Sequence, residues 1–538
     1  MNANESAEDF DDLADVLALP EGRRVITPRE VATLLAAATR VHAVGAEGCA
    51  PALVARAFAE AGAHVLYVAP EVDGARRAAA DLSFVAKGGD AILSVLPAES
   101  TPWADVRPDR RGQMSRTGAL FHIARGLPWR FAVTTAAGLV RRFVPPAPLR
   151  NAAVELIAED EIDVRAVAEK LSHAGYLRVP VVEDPGSFAV RGGVFDVWPP
   201  TSEEPVRAEL YGDLILSLKF FDPESQRTGE SLARVWLPPT REAITTPADA
   251  ERARAVLRSL CDAVDFPSSK ARALEEDVAT ARSLFGLDGF LPAFHQLVPL
   301  WDYLPEDTVV LVEDPARVVA QIRQELGHAE TAHAERYAEP RFGLEELYVR
   351  EATIAEALAQ LPVAALHRTA VVGTSENPAR LDDLELAPLD APSLAIRDHA
   401  DLGRAVTRAR SERGKGAALE PLLRRINAWH EAGLDVTITA RASTQAERIT
   451  TLLGHRGVRV ADAESRAPRG TVKVVTGALA RGAIVPSEAF VWVTEEEIFG
   501  QRAHRRQERS KSARAFLEDL RALEVGDYVV HVDHGIGR

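Results

Sequence analysis

The stretch VHAVGAEGCAPALVARAFAE, residues 41–60, constrains the fold more than any other. A short apolar strand passes through glycines straight into an amphipathic helix. Repeated, such units bury their strands in a parallel sheet with helices on both faces. The alternation does recur. HVLYVAP (64–70) reads as a buried strand, GARRAAADLSFV (74–85) as a helix, and RFAVTTAAGLV (130–140) as a strand entering a helix.

At roughly 150 residues per domain, a chain of 538 residues holds several domains, and their borders are legible. Residues 1–147 are the first part of a parallel α/β domain, closed by the proline-marked FVPPAPL. Residues 148–237 are a small α+β domain. Its helix, VRAVAEKLSHAGY, sets Val164, Val167 and Leu171 on one stripe, and the short strands SFAVRGGVFDVW, PVRAELY and LILSLKFFD follow. Residues 238–395 resume the α/β pattern, with TVVLVEDPARVVAQI (308–322) as strand, acidic turn and helix. Residues 396–414, charged and glycine-bearing, read as a linker. Residues 415–500 form a second small α/β domain, 501–522 a basic helical connector, and 523–538 (GDYVVHVDHGIGR within it) the start of a β-rich domain.

A net charge of −16 excludes a surface built to coat nucleic acid, so any DNA contact is local or outside this chain. Two cysteines, Cys49 and Cys261, allow neither a disulfide framework nor a cysteine-based zinc site, and a reducing cytoplasm is the expected home. No stretch approaches the roughly 18 apolar residues of a membrane span.

The opening stretch also resembles a phosphate loop, GxxxxGK[ST], whose lysine neutralises phosphate and whose hydroxyl holds Mg²⁺. Counted from Gly45, those two positions hold Pro51 and Ala52. Counted from Gly48, they hold Cys49 and Ala50. Neither register supplies a cation or a magnesium ligand, and Pro51 removes a backbone N–H. VVLVEDP (309–315) looks like the acidic strand end of the same kind of site, with Glu313 and Asp314. FVWVTEEE (490–497) shows the same look but reads as a helix start. Together they predict a degenerate RecA-like (P-loop-type) domain without bound nucleotide.

This layout resembles the excision-repair protein UvrB, and more closely the N-terminal half of the bacterial transcription-repair coupling factors, the Mfd family. Three stretches carry the likeness. FAVRGGVFDVWPPTSEEPVRAELYGDLILSLKFFDPESQRT (188–228) is similar to the UvrA-binding domain, VTEEEIFGQR (493–502) to the end of the third domain, and VGDYVVHVDHGIGR (525–538) to the first strands of the RNA-polymerase-interacting, CarD-like domain. The resemblance implies a UvrB-like module that recruits UvrA to stalled RNA polymerase in transcription-coupled nucleotide excision repair. It assigns ATP, Mg²⁺ and DNA translocation to a downstream motor whose motifs this chain lacks. An active UvrB-like ATPase and a stand-alone repair adaptor are the alternatives. Where UvrB carries an aromatic-rich DNA-clamping hairpin, this chain has TPWADVRPDRRGQMS. Arg107, Arg110 and Arg111 there are expected on a solvated face rather than on phosphate.

Matched residue by residue, the resemblance implies that Arg178, Arg191 and Phe195 contact UvrA. A guanidinium takes a carboxylate through two parallel hydrogen bonds, and an exposed aromatic adds apolar area. Two geometries are open. If Gly192-Gly193 makes a two-residue hairpin, Arg191 and Phe195 face opposite ways. If the strand runs on through a glycine kink, they share a face. The resemblance favours the shared face.

Overall fold

The strands begin as the sequence pattern predicts. β1 (Arg40–Ala46) leads into α1 (Ala50–Glu60), and β2 (His64–Ala69) into α2 (Val72–Val85). β3 (Ile92–Ser94), α3 (Arg110–Arg125) and β4 (Phe131–Thr135) follow. The computed structural model describes residues 22–500 apart from 87–90, 105–108, 245, 281–286, 370–380, 414–418 and 462–469, plus two short strands at 529–531 and 535–537.

The chain then leaves this sheet to build the small domain. β5 (Val154–Ile157) is followed by α4 (Val164–His173), whose N-terminus is capped by Asp163 accepting from the Arg165 and Ala166 amides. β6 (Leu177–Arg178), β7 (Ser187–Arg191), β8 (Val194–Val197), β9 (Val206–Tyr211), β10 (Leu214–Phe221) and β11 (Thr228–Leu232) form one sheet in the order β11-β10-β9-β8-β7-β6. Its pairs are antiparallel except β6 with β7. β12 (Arg234–Leu237) pairs with β5 and brings the exit beside the entrance. Leu171 of α4 is buried against Phe188, Phe195 and Val197, with Val164 and Val167 packed at the edge of that core.

The returning chain adds β13 (Thr308–Glu313), α5 (Pro315–Glu335), β14 (Val363–His367) and β15 (Ser393–Ile396) to the first sheet. Seven strands, all parallel, run in the order β15-β1-β14-β13-β2-β4-β3. This is the parallel α/β domain interrupted by a small α+β domain. Residues more than 300 apart in sequence pair in one sheet, as Val44 does with His367.

The stretch expected as a linker is instead helix α6 (Ala400–Arg413). Leu402, Val406 and Ala409 are buried at a helical spacing, so three apolar anchors suffice where the charged residues had suggested a solvated segment. The second α/β domain consists of α7 (Glu420–Glu431), β16 (Asp435–Ala440), α8 (Ser443–Gly454), β17 (Val460–Ala461), β18 (Val472–Thr476), β19 (Ala483–Val485) and β20 (Phe490–Thr494). The sheet order is β17-β18-β16-β20-β19, with β19 antiparallel to β20. TEEE after β20 is a helix start, its Thr494 and Glu497 making a reciprocal capping box. Arg397 and Ile484 exchange both backbone hydrogen bonds (3.2 and 2.9 Å), which links this sheet to the first. Val529–His531 pairs antiparallel with Gly535–Gly537. The connector at 501–522 and most of 523–538 lie outside the described residues.

Candidate functional site

Two regions were singled out by the residues, and each is built differently. The first is the edge of the main sheet where β1 and β13 end, with β14 between them. Ligands of open α/β sheets bind at this edge. Gly45 and Gly48 both hold positive φ, 66° and 57°, a conformation that favours glycine. A Cβ on Gly48 would collide with the carbonyl oxygen of Gly482, from the second α/β domain. Cys49 precedes α1 without a side-chain cap, and Pro51 stands in its first turn. Cys49 and Ala50 are fully buried, and burial pushes the Cys49 thiol up.

Glu313 and Asp314 stand at the end of β13. Asp314 has φ 49° and donates its amide to the Leu366 carbonyl at 2.9 Å; burial pushes its carboxyl up. Glu313 accepts from the Tyr67 hydroxyl at 2.7 Å and from Arg481. Arg481 also donates from Nε to Asp81 Oδ2 at 2.8 Å. The other oxygen of Asp81 accepts the amides of Ala480 (2.8 Å) and Arg481 (3.1 Å). Asp81 is wholly buried on α2. Burial pushes its carboxyl up while Arg481 pulls it down, and the upward push prevails. Burial would lower the Arg481 guanidinium, but Glu313, Tyr67 and Asp81 outweigh it and raise it well above its ordinary range. A cleft of about 880 Å³ opens beside this cluster, between the loop after β1, the start of α5 and helix α6.

Sequence reasoning found Gly48 and Glu313 but not Tyr67, Asp81 or Arg481. A signal existed for Asp81. It falls within the buried stripe Ala78, Leu82 and Val85 of α2, and a carboxylate there needs a partner.

The second region is the β7–β8 hairpin of the small domain. Gly192 (φ 58°) and Gly193 form a two-residue turn, with Arg191 opposite Val194 and Val190 opposite Phe195. The expected shared face is therefore corrected, because the glycines close a hairpin instead of carrying the strand onward. Phe195 points inward, fully buried, its ring 6.0 Å from that of Phe188. It is core rather than an exposed contact. Arg191 points outward with its side chain 46% exposed, and donates to Asp196 Oδ2 at 2.8 Å. Asp196, wholly buried, is already held by Arg207 through two bonds of 2.7 and 2.9 Å. Arg207 also lies over the Phe221 ring.

Arg178 is exposed on the edge strand β6, in register with Phe188. It rims a groove of about 270 Å³ shared with Ala168, Phe188 and Val190. The sheet therefore sets Arg178 and Arg191 on opposite faces. The large exposed apolar side chains of this domain, among the described residues, are Leu177, Tyr211 and Leu216.

The described residues of the 101–115 segment pack into the fold. Trp103 is buried beside Tyr348 and His333. Arg110 is exposed, as expected, and it also donates to the Gly186 carbonyl at 2.9 Å, which ties α3 to the small domain. Arg111 is exposed, and Arg107 lies outside the described residues. Arg116 of α3 holds Glu242 through a buried pair of bonds, 3.1 and 2.7 Å, at the exit of the same domain. Among the described residues no helix is long and apolar enough to cross a membrane.

A parallel α/β domain with a phosphate-type loop that lacks the loop lysine, interrupted by a small, mostly antiparallel sheet, defines the class: a UvrB-like module. The family model of the UvrB interaction domain matches residues 154–242, from β5 to the anchored Glu242. The chain is 32% identical to the transcription-repair-coupling factor of Myxococcus xanthus, over 95% of this chain and 43% of that protein. It is 25% identical to that of Escherichia coli, over 88% and 39%, and 24% identical to that of Bacillus subtilis, over 76% and 34%. The chain belongs with the N-terminal region of the transcription-repair-coupling factors. It spans less than half the length of these curated relatives.

Proposed function

We propose that this chain is the UvrA-recruiting part of a transcription-repair coupling factor, and that the domain at 154–242 is the recruiting surface. One observation carries the reading: the match to the UvrB interaction domain falls on a separately cored sheet whose hairpin holds Arg191 half exposed in its ion pair with Asp196. Asp196 keeps Arg207 when Arg191 lets go, so Arg191 can turn to a carboxylate on UvrA without leaving a buried charge unpaired. Arg178 offers a second guanidinium at the sheet edge. Phe195 supports the hairpin from within.

The β1–β13 edge is read as nucleotide-free. The absent lysine, the Gly482 carbonyl against Gly48 and the Arg481–Glu313 pair support this. ATP, Mg²⁺ and DNA translocation then belong to sequence that the longer relatives have beyond this match. RNA polymerase is the partner expected of the region at 523–538.

The test is a titration of UvrA with the intact chain. Arg191→Glu should weaken binding by at least about tenfold, ~1.4 kcal/mol, with the domain still folded. Unchanged affinity would overturn the assignment of Arg191, and unchanged affinity in Arg178→Glu as well would overturn the surface.

A further inference from the structure

The pairing of Arg481 is unusual in what it joins. Its two carboxylate partners and its hydroxyl neighbour belong to three elements of the first α/β domain, α2, β13 and β2. Arg481 itself belongs to the second. Asp81, Glu313 and Tyr67 lie 400, 168 and 414 positions from it in sequence. Asp81 faces it edge-on through Oδ2 while Oδ1 holds two backbone amides of the same loop. Glu313 accepts on the other side, and the Tyr67 hydroxyl lies 3.4 Å from Nη2. A planar fork of five N–H donors suits acceptors spread on two sides, and a point charge does not. The loop sits at the edge where a bound nucleotide would lie.

We infer that Asp81, Glu313 and Tyr67 form a guanidinium-binding site whose resident occupant is Arg481, and that this internal ligand, in place of a nucleotide, sets how the 415–500 domain seats on the first α/β domain. The proposal rests on reading that edge as nucleotide-free. Apolar contacts supply area at the same interface, Phe84 meeting Trp492 edge-to-face at 5.1 Å and Leu479 and Ala483 joining the first domain's core. Apolar area is tolerant of sliding, whereas the ion site fixes one register. Gly482 extends the fit: its amide donates to Glu497 at 2.9 Å and its carbonyl covers Gly48.

The experiment is chemical rescue in the full chain, read by hydrogen exchange of the amides of Ala480 and Arg481, both bonded to Asp81. Arg481→Ala should speed their exchange by roughly a hundredfold, because the buried Asp81 and the partly buried Glu313 lose their shared cation. Guanidinium at low millimolar concentration, far below denaturing levels, should restore most of the protection, and ammonium at the same concentration should not. Arg481→Lys should protect less than the wild type. If Arg481→Ala fails to fold, the fully neutral variant Asp81→Asn, Glu313→Gln, Arg481→Gln serves, since it leaves no carboxylate without its cation. It should seat the loop and show no response to guanidinium. Wild-type exchange in Arg481→Ala, or equal rescue by both cations, would overturn the latch alone. ATP binding to the wild-type chain with faster exchange of this loop would overturn the nucleotide-free reading and the latch with it.

Discussion

Asp81 and Asp196 are both wholly buried, and both hold arginine, yet the two arrangements serve opposite ends. Asp81 has one guanidinium, which also serves Glu313 and is largely enclosed, with a fifth of its side chain exposed. Asp196 has two. Arg207 takes both of its oxygens, and Arg191 adds a single bond from a half-exposed position. A lone, enclosed cation is structural, because removing it strands the carboxylates. A surplus cation can be lent to a partner. The comparison teaches that burial of the aspartate alone does not say what its arginine is for; the number of cations it holds does.

Removing each cation from Asp196 in turn gives the largest effect. Arg207→Ala should cost about 3 kcal/mol of unfolding free energy, the low end of the loss for a broken buried pair, because Asp196 keeps only the single bond from half-exposed Arg191 and the Gln226 and Phe221 contacts are lost as well. Arg191→Ala should cost less than ~1 kcal/mol, since it is close to half exposed and Asp196 stays neutralised. Denaturant melts of the two variants check this, and equal losses would break the comparison.

Acid should separate the two regions next. His42 on β1 and His367 on β14 lie with Nδ1 and Nε2 3.0 Å apart, and burial lowers both from 6.5 to about 4. Their neutral forms are favoured in the fold, so this contribution is full above pH 6.5 and is lost as pH falls through 6.5 toward 4. The loss amounts to roughly 3 kcal/mol or more. The main sheet should therefore unfold in acid ahead of the small domain. Melts followed at pH 7 and pH 5 by exchange in β1 and in β8 measure the order, and simultaneous unfolding would contradict it.

Much of the fold was legible because burial follows period. HVLYVAP, TVVLVEDP and VRAVAEKLSHAG became β2, β13 and α4 with little change. Helix α6 was hidden, since its three anchors sit among eleven other, mostly charged or small, residues of a 14-residue helix. The facing of Phe195 was illegible for another reason: a Gly-Gly pair fits a turn or a kink equally, and cross-strand register decides between them. The Arg481–Asp81 pair was beyond any local signal, although Asp81 in an apolar stripe announced that some partner must exist.

The smallest expected effect isolates the hairpin that exposes Arg191. Gly192 and Gly48 have nearly the same φ, 58° and 57°. Around a Cβ on Gly192 the structure places no atom within 4 Å, whereas at Gly48 the Gly482 carbonyl stands in the way. Gly192→Ala therefore meets only the left-handed backbone penalty, about 1–2 kcal/mol. Gly48→Ala meets the same penalty and a collision that must displace the 479–484 loop. Because the hairpin register is also held by Phe195 in the core, Gly192→Ala should keep Arg191 outward and leave UvrA affinity within about twofold, under ~0.5 kcal/mol. A large loss of affinity in Gly192→Ala with the domain still folded would mean that the turn itself, rather than the arginine beside it, is what UvrA reads.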